Sequence, residues 1–160
     1  MKKEILKGLA MFALLVSLAI ATAVVSANAQ ATAGKVVASV PFEFSVGYKL
    51  MPAGEYSVQE TPSANGLMIR SADGKNSALR LSDATDRAKD KSQARLVFHR
   101  YGQRYFLAEV WNGVDNTGRK LTASQEERGI ETELQLASTT ENAHAPNAIY
   151  ETVEVLAVLR

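Results

Sequence analysis

From residue 34 onward, turn-forming residues interrupt the chain roughly every ten positions. They stand at Pro52-Ala53-Gly54, Asn65-Gly66, Asp73-Gly74, Gly102-Gln103 and Asn112-Gly113. Between most of them, apolar and polar residues alternate with a period of two, the repeat of a strand with one face inward. This spacing predicts an all-β, mainly antiparallel fold: a β-sandwich or flattened barrel of about seven to nine strands. The chain contains no cysteine. Its cohesion must therefore come from packing and backbone pairing, without disulfides or thiolate–metal bonds.

The individual segments carry more detail. Phe42, Phe44 and Val46 share one face of a strand, Glu43 and Ser45 the other, and Pro41 marks an edge or a bend. Pro52 and Gly54 predict a bulged hairpin turn with Gly54 left-handed, leading to Tyr56 and Val58 on the returning strand. A two-residue loop at Asp73-Gly74 sets Ile69 opposite Ala78 and Met68 opposite Leu79. The polar stretch 82–93 lacks apolar periodicity and reads as a surface loop or a short helical turn. Near the C-terminal side, Ser124 and Glu127 fit a capping box, and Ile130 with Leu134 extends a helical period. One helix is expected there, then a loop over 138–147, and a buried strand in "IYETVEVLAVLR".

The densest stretch is "RLVFHRYGQRYFLAEVW", residues 95–111. With Gly102-Gln103 as the turn, Arg100 faces Tyr105, Phe98 faces Leu107 and Leu96 faces Glu109. Val97, His99, Phe106, Ala108 and Val110 occupy the opposite face. A hairpin apolar on both faces needs cover on both sides, which places it centrally in the sheet system.

Residues 1–29 read as a signal peptide. Lys2, Lys3 and Lys7 precede an uncharged apolar run from Leu9 to Val25, and Ala27 and Ala29 supply an A-x-A cleavage pattern. Residues 30–160 then form a single β-rich domain, exported to the periplasm or medium. The membrane is met only through the apolar segment, if it stays uncleaved. Cleavage removes Lys2, Lys3, Lys7 and Glu4, so a net charge of +1 becomes −1. No basic stripe remains to favour nucleic acid.

Candidate chemistry is sparse. His99 could act as a general base if Glu109 or an aspartate oriented it, but no G-x-S-x-G element or cysteine offers a nucleophile. His144 has no spacing to His99 that makes a zinc motif. Asp83, Asp86 and Asp90 miss the calcium-loop pattern and lie among Arg87, Lys89 and Lys91. No catalytic residue, metal ligand or cofactor is therefore assigned. Arg100, Tyr101, Arg104, Tyr105 and Trp111 are the candidate ligand or partner surface, because exposed aromatics beside arginines stack on sugars or partner proteins. Their competing reading is packing, with Arg100 lying over Tyr105 as a cation–π pair.

Three segments in order, "VPFEFSVGYKLMPAGEYSV", "RLVFHRYGQRYFLAEVW" and "GRKLTASQEERGIE", resemble a group of small exported bacterial β-rich proteins of unassigned function. The resemblance implies a cell-envelope or secreted domain and carries over no catalytic residue. The expected function is a non-catalytic binding or structural module meeting a protein, glycan or small ligand. Two alternatives have stated requirements. A lipocalin-like carrier needs an open interior lined by Phe44, Phe98 and Leu107, with room of about 300 Å³. An extracytoplasmic hydrolase needs His99 beside a carboxylate in a cleft.

Overall fold

A computed structural model describes residues 34–61, 65–86, 93–114, 117–141 and 149–160. The expected signal peptide lies outside the described residues, as do Arg87, Lys89, Asp90, Lys91 and His144. No described helix is long and apolar enough to cross a membrane.

The described chain is all-β and mainly antiparallel, with ten strands and one helix. The strands are β1 (Val36–Val40), β2 (Phe44–Val46), β3 (Lys49–Met51), β4 (Gly54–Glu60), β5 (Gly66–Ser71) and β6 (Ser77–Asp86), followed by β7 (Arg95–Tyr101), β8 (Arg104–Trp111), β9 (Thr117–Leu121) and β10 (Glu151–Leu159). Helix α1 (Gln125–Glu141) falls between β9 and β10. The pairings run β8-β7-β10-β1-β4-β5-β6-β9 and return to β8, closing a ring of eight strands. The remaining two, β2 and β3, form a hairpin attached to β8 by a parallel pairing of Ser45 with Phe106. Ring closure leaves no edge on the eight strands at the level where β9 joins β8 to β6.

Alternation decides what fills the ring. Val36, Ala38 and Val40 on β1, Tyr56 and Val58 on β4, Leu67 and Ile69 on β5, and Leu96 and Phe98 on β7 all point inward and are buried. Phe44 of the added hairpin reaches across to Tyr56 and Phe98, with ring centroids 5.0 and 5.3 Å away in edge-to-face contact. Phe42 lies edge-on to Phe98 at 5.2 Å. Each fully buried aromatic or large aliphatic side chain contributes roughly 1.5–3 kcal/mol of transfer free energy. Together they plug one end of the barrel.

The expected hairpin at Pro52–Gly54 is corrected: β3 pairs with β2, and β4 pairs with β1, so the segment is a corner between different neighbours. Gly54 does not take positive φ; Gly47 does, at 65°, in the Gly47-Tyr48 turn between β2 and β3. The Tyr56 hydroxyl donates to the Pro52 carbonyl at 2.6 Å and pins the corner. Pro41 falls between β1 and β2, as a bend requires. The expected facings of Ile69 with Ala78 and Met68 with Leu79 are present.

Residues 82–86 are strand, contrary to the loop or helical turn expected there. This half of β6 pairs with β9 from Ser82↔Leu121 to Asp86↔Thr117. Its composition hid it: Ser82, Asp83, Ala84, Thr85 and Asp86 include no large apolar residue, and the inward position is filled by the small Ser82, which is buried and donates to the Asn65 carbonyl. In the preceding half of the strand Leu79 and Leu81 face outward, 60% and 71% exposed. The stretch 87–92 lies outside the described residues.

Hairpin β7–β8 keeps Arg100↔Tyr105 and Phe98↔Leu107, but a bulge at Ala108 pairs Leu96 with Val110 and Val97 with Glu109. The expected Leu96–Glu109 facing is thereby corrected. The extra residue turns Val110 into the core and keeps Glu109 out of it, where an unpaired carboxylate would be costly. Both faces of the hairpin are covered. Outside the ring, Val97, Tyr101, Phe106 and Ala108 are also buried.

Ser124 caps α1 by accepting from the Glu127 amide at 3.0 Å. The helix runs on to Glu141, past the expected loop start, and its Leu134 is 39% exposed. Strand β10 forms where expected but is not buried on both faces. It turns Val153, Val155, Ala157 and Leu159 toward the core, while Leu156 and Val158 stay exposed.

Candidate functional site

The predicted surface residues divide between two sides of hairpin β7–β8. Arg100 and Tyr105 pair directly, and the Arg100 guanidinium lies 5.5 Å from the Tyr105 ring centre. Arg100 also donates to the Gly102 carbonyl at 2.7 Å and to Glu151 Oε2 at 3.1 Å. Tyr105 stacks on Phe42, with centroids 4.0 Å apart and planes 16° from parallel. Arg104 is exposed, pairs with Glu126 of α1 and lies over Phe106. Tyr101 and Trp111, expected to be exposed, are only 5% and 3% accessible. Trp111 is held by its indole N–H on Glu109 and by the Arg95 guanidinium over its ring, and it covers Gly118. Both rings face out of the barrel but are roofed by other side chains, which periodicity alone could not reveal.

The first constellation is the roof over Tyr101. Glu127 brings Oε1 to 2.9 Å from His99 Nδ1, and the same carboxylate acts on the nearby Tyr101 hydroxyl. The Tyr150 ring stacks on His99 at 3.9 Å. Burial first, and then the carboxylates of Glu127 and Glu131, hold the Tyr101 hydroxyl well above the ordinary tyrosine range. The acidic neighbour of His99 is thus Glu127, not Glu109, which is occupied by Trp111. Sequence spacing assigns Glu127 a capping role, and its backbone does fill it, but the side chain turns away to His99. Side-chain exposures of 17% for His99 and 6% for Glu127 make the pair a clasp between helix and barrel wall.

The second constellation is a groove of about 580 Å³ between hairpin β2–β3, the β7–β8 turn and the start of α1. Arg104 and Tyr105 line it together with Phe42, Tyr48, Leu50 and Glu126. Tyr48 and Leu50 are 70% and 57% exposed, large apolar surfaces left open to water. The signal that could have found them is the Gly47-Tyr48 turn between two short apolar runs. Lys49 reaches from this hairpin to the Ser77 carbonyl of β6 at 2.9 Å and fixes its position.

The third lies at the opposite end of the barrel from the aromatic plug. There β1, β5 and β9 begin, β4 and β8 end, and a pocket of about 230 Å³ opens. Its floor is Val36, Val58, Leu67 and Val110; its rim includes Glu60, Asn112, Thr117 and Arg119. Arg119 Nη2 donates to Glu60 Oε2 at 2.6 Å, and this contact raises the guanidinium pKa further above its ordinary value. Phe44, Phe98 and Leu107, the residues expected to line an open interior, are at most 4% exposed and packed in the core. His99 and Glu127 line neither this mouth nor the groove.

No protein-family profile, curated protein or solved structure matches this chain. Among the described residues no three His, Asp or Glu side chains gather as a metal site.

Proposed function

We propose that the protein is an exported, non-catalytic binding module of the cell envelope, with the groove beside β3 as its recognition surface. In this reading the flattened ring is a scaffold, and its added hairpin presents the contact. The carrying observation is the exposure of Tyr48 and Leu50 on a hairpin whose outer strand, Lys49–Met51, pairs only with β2 among the described residues. An open strand edge flanked by large apolar side chains favours an extended segment of a partner protein. Main-chain hydrogen bonds would add a strand, and Leu50 and Tyr105 would offer side-chain contacts. Arg104 and Glu126 satisfy each other at the rim and favour no net charge on the partner.

Native mass spectrometry of the protein isolated from its own envelope fraction tests this, with Leu50→Asp and Tyr48→Ser alongside. A partner mass on the wild type that both variants lose supports the reading. A bare chain in all three, or a partner equally retained by both variants, overturns it.

A further inference from the structure

Two inward-facing series in the barrel end on charges. Strand β4 sends in Tyr56, Val58 and then Glu60; on β9, Arg119 precedes Leu121. Glu60 and Arg119 meet at 2.6 Å although β5 and β6 lie between their strands in the ring, so the ion pair forms a bar across the mouth. Asn65, whose φ of 60° is left-handed, brings Oδ1 to 3.5 Å from Arg119 Nη1. Asparagine tolerates this conformation in turns, and it sets the side chain beside Arg119.

Beneath the bar, the four floor residues are at most 5% exposed and wholly aliphatic. A wholly apolar cavity of about 150 Å³ takes up a benzene-sized molecule; this mouth is apolar at its floor and polar at its rim of Glu60, Asn112, Thr117 and Arg119. The mouth, at about 230 Å³, has room for a somewhat larger body. The bar then selects the head group. Its net charge is zero, so a carboxylate would meet Glu60 and an ammonium would meet Arg119. A neutral oxygen suffers neither. Of the five guanidinium N–H groups, the contacts to Glu60 and Asn65 use two, which leaves donors for such an oxygen.

We propose that the barrel mouth binds a small neutral amphiphile, with a short alkyl or single-ring body on the valine floor and one hydroxyl or carbonyl oxygen at Arg119. This site is remote from the groove and independent of the partner reading. The full chain is titrated with 1-octanol, octanoate and octylamine while the methyl resonances of Val36, Val58, Leu67 and Val110 are followed. Octanol shifts these methyls, and the two charged analogues bind about tenfold or more weakly. Thr117→Trp, at an exposed rim position, and Val58→Phe, in the floor, each abolish the shifts. Glu60→Gln, which leaves the Arg119 guanidinium unneutralised, raises octanoate to at least the affinity of octanol, whereas Arg119→Gln removes the donors to the oxygen and weakens octanol. Silent methyls with octanol, equal affinity for all three head groups in the wild type, or undiminished binding by Thr117→Trp would each overturn the assignment. Should Val58→Phe not fold, the rim variant decides alone.

Discussion

Glu127 Oε1 sits 2.9 Å from His99 Nδ1, and through this contact the start of α1 is tied to the outer wall of the barrel. Glu127 is buried, and its carboxylate also acts on the nearby Tyr101 hydroxyl. Replacing it with alanine strands His99, and leaving a buried polar group unpaired costs about 1–3 kcal/mol. Denaturant unfolding of Glu127→Ala should show a lower midpoint by that amount. A double-mutant cycle with His99→Ala should return a coupling of roughly 0.5–3 kcal/mol. Additive effects would mean that the two side chains do not interact in solution.

Alkaline pH gives a second handle on the same clasp. The folded state holds the Tyr101 hydroxyl neutral, raising its pKa mainly by burial and then by the nearby carboxylates; Tyr56 is raised by burial as well. An acid whose folded pKa exceeds its unfolded value stabilises fully below the unfolded value, about 10 for tyrosine. That contribution disappears as the pH climbs from there through the folded value. Unfolding midpoints should therefore fall above about pH 10, and Tyr101→Phe should flatten part of the decline. Equal slopes for wild type and variant would exclude Tyr101 as a source.

Glycine positions should separate into two classes. A Cβ on Gly113 would stand 2.4 Å from the Ala94 amide nitrogen, at a φ of 77°; one on Gly118 would stand 2.6 Å from the Trp111 indole. Gly118→Ala should cost about 1–3 kcal/mol as an overpacked site and shift the Trp111 emission. Gly113→Ala should cost more, because backbone cannot move aside. Gly102→Ala meets nothing within 4 Å and should cost only about 1–2 kcal/mol for its left-handed backbone. Thermal or denaturant midpoints rank the three.

Leucines on β6 should behave unlike core residues. Leu79→Ser and Leu81→Ser, on the outer face, should change stability by no more than about 0.5 kcal/mol. Phe98→Ala, at the centre of the aromatic plug, should cost about 3–5 kcal/mol. Were Leu81→Ser as damaging as a core deletion, the inward and outward faces of β6 would have to be exchanged.

Turn chemistry and alternation were readable where they acted locally. Gly102-Gln103 and Asp73-Gly74 set their registers, and Ser124 capped its helix, because a few adjacent residues decide each outcome. Features set by distant partners were hidden. Pro52–Gly54 looks like a hairpin turn, yet β4 finds β1, and only the ring explains it. The bulge at Ala108 cannot be placed without knowing that β9 must meet β8 at Glu109 and Val110. At the candidate sites, Arg100 over Tyr105 followed from the register. The burial of Tyr101 and Trp111 did not, because their cover comes from Glu127, Tyr150 and Arg95, residues that no local pattern links to them.

Strand β10 lies between β7 and β1, and Val36 aligns with Leu159. Ring completion must therefore wait for β10 to be synthesised, long after β1. Until then two strands keep naked hydrogen-bonding margins, open to cross-association with other nascent chains. So distant a pairing also carries a large loop-closure entropy, which makes folding slow compared with a helical domain of similar size. Any truncation or tag that perturbs residues 151–159 breaks the circle at two seams simultaneously, and its penalty should surface as lost yield before it appears as altered binding.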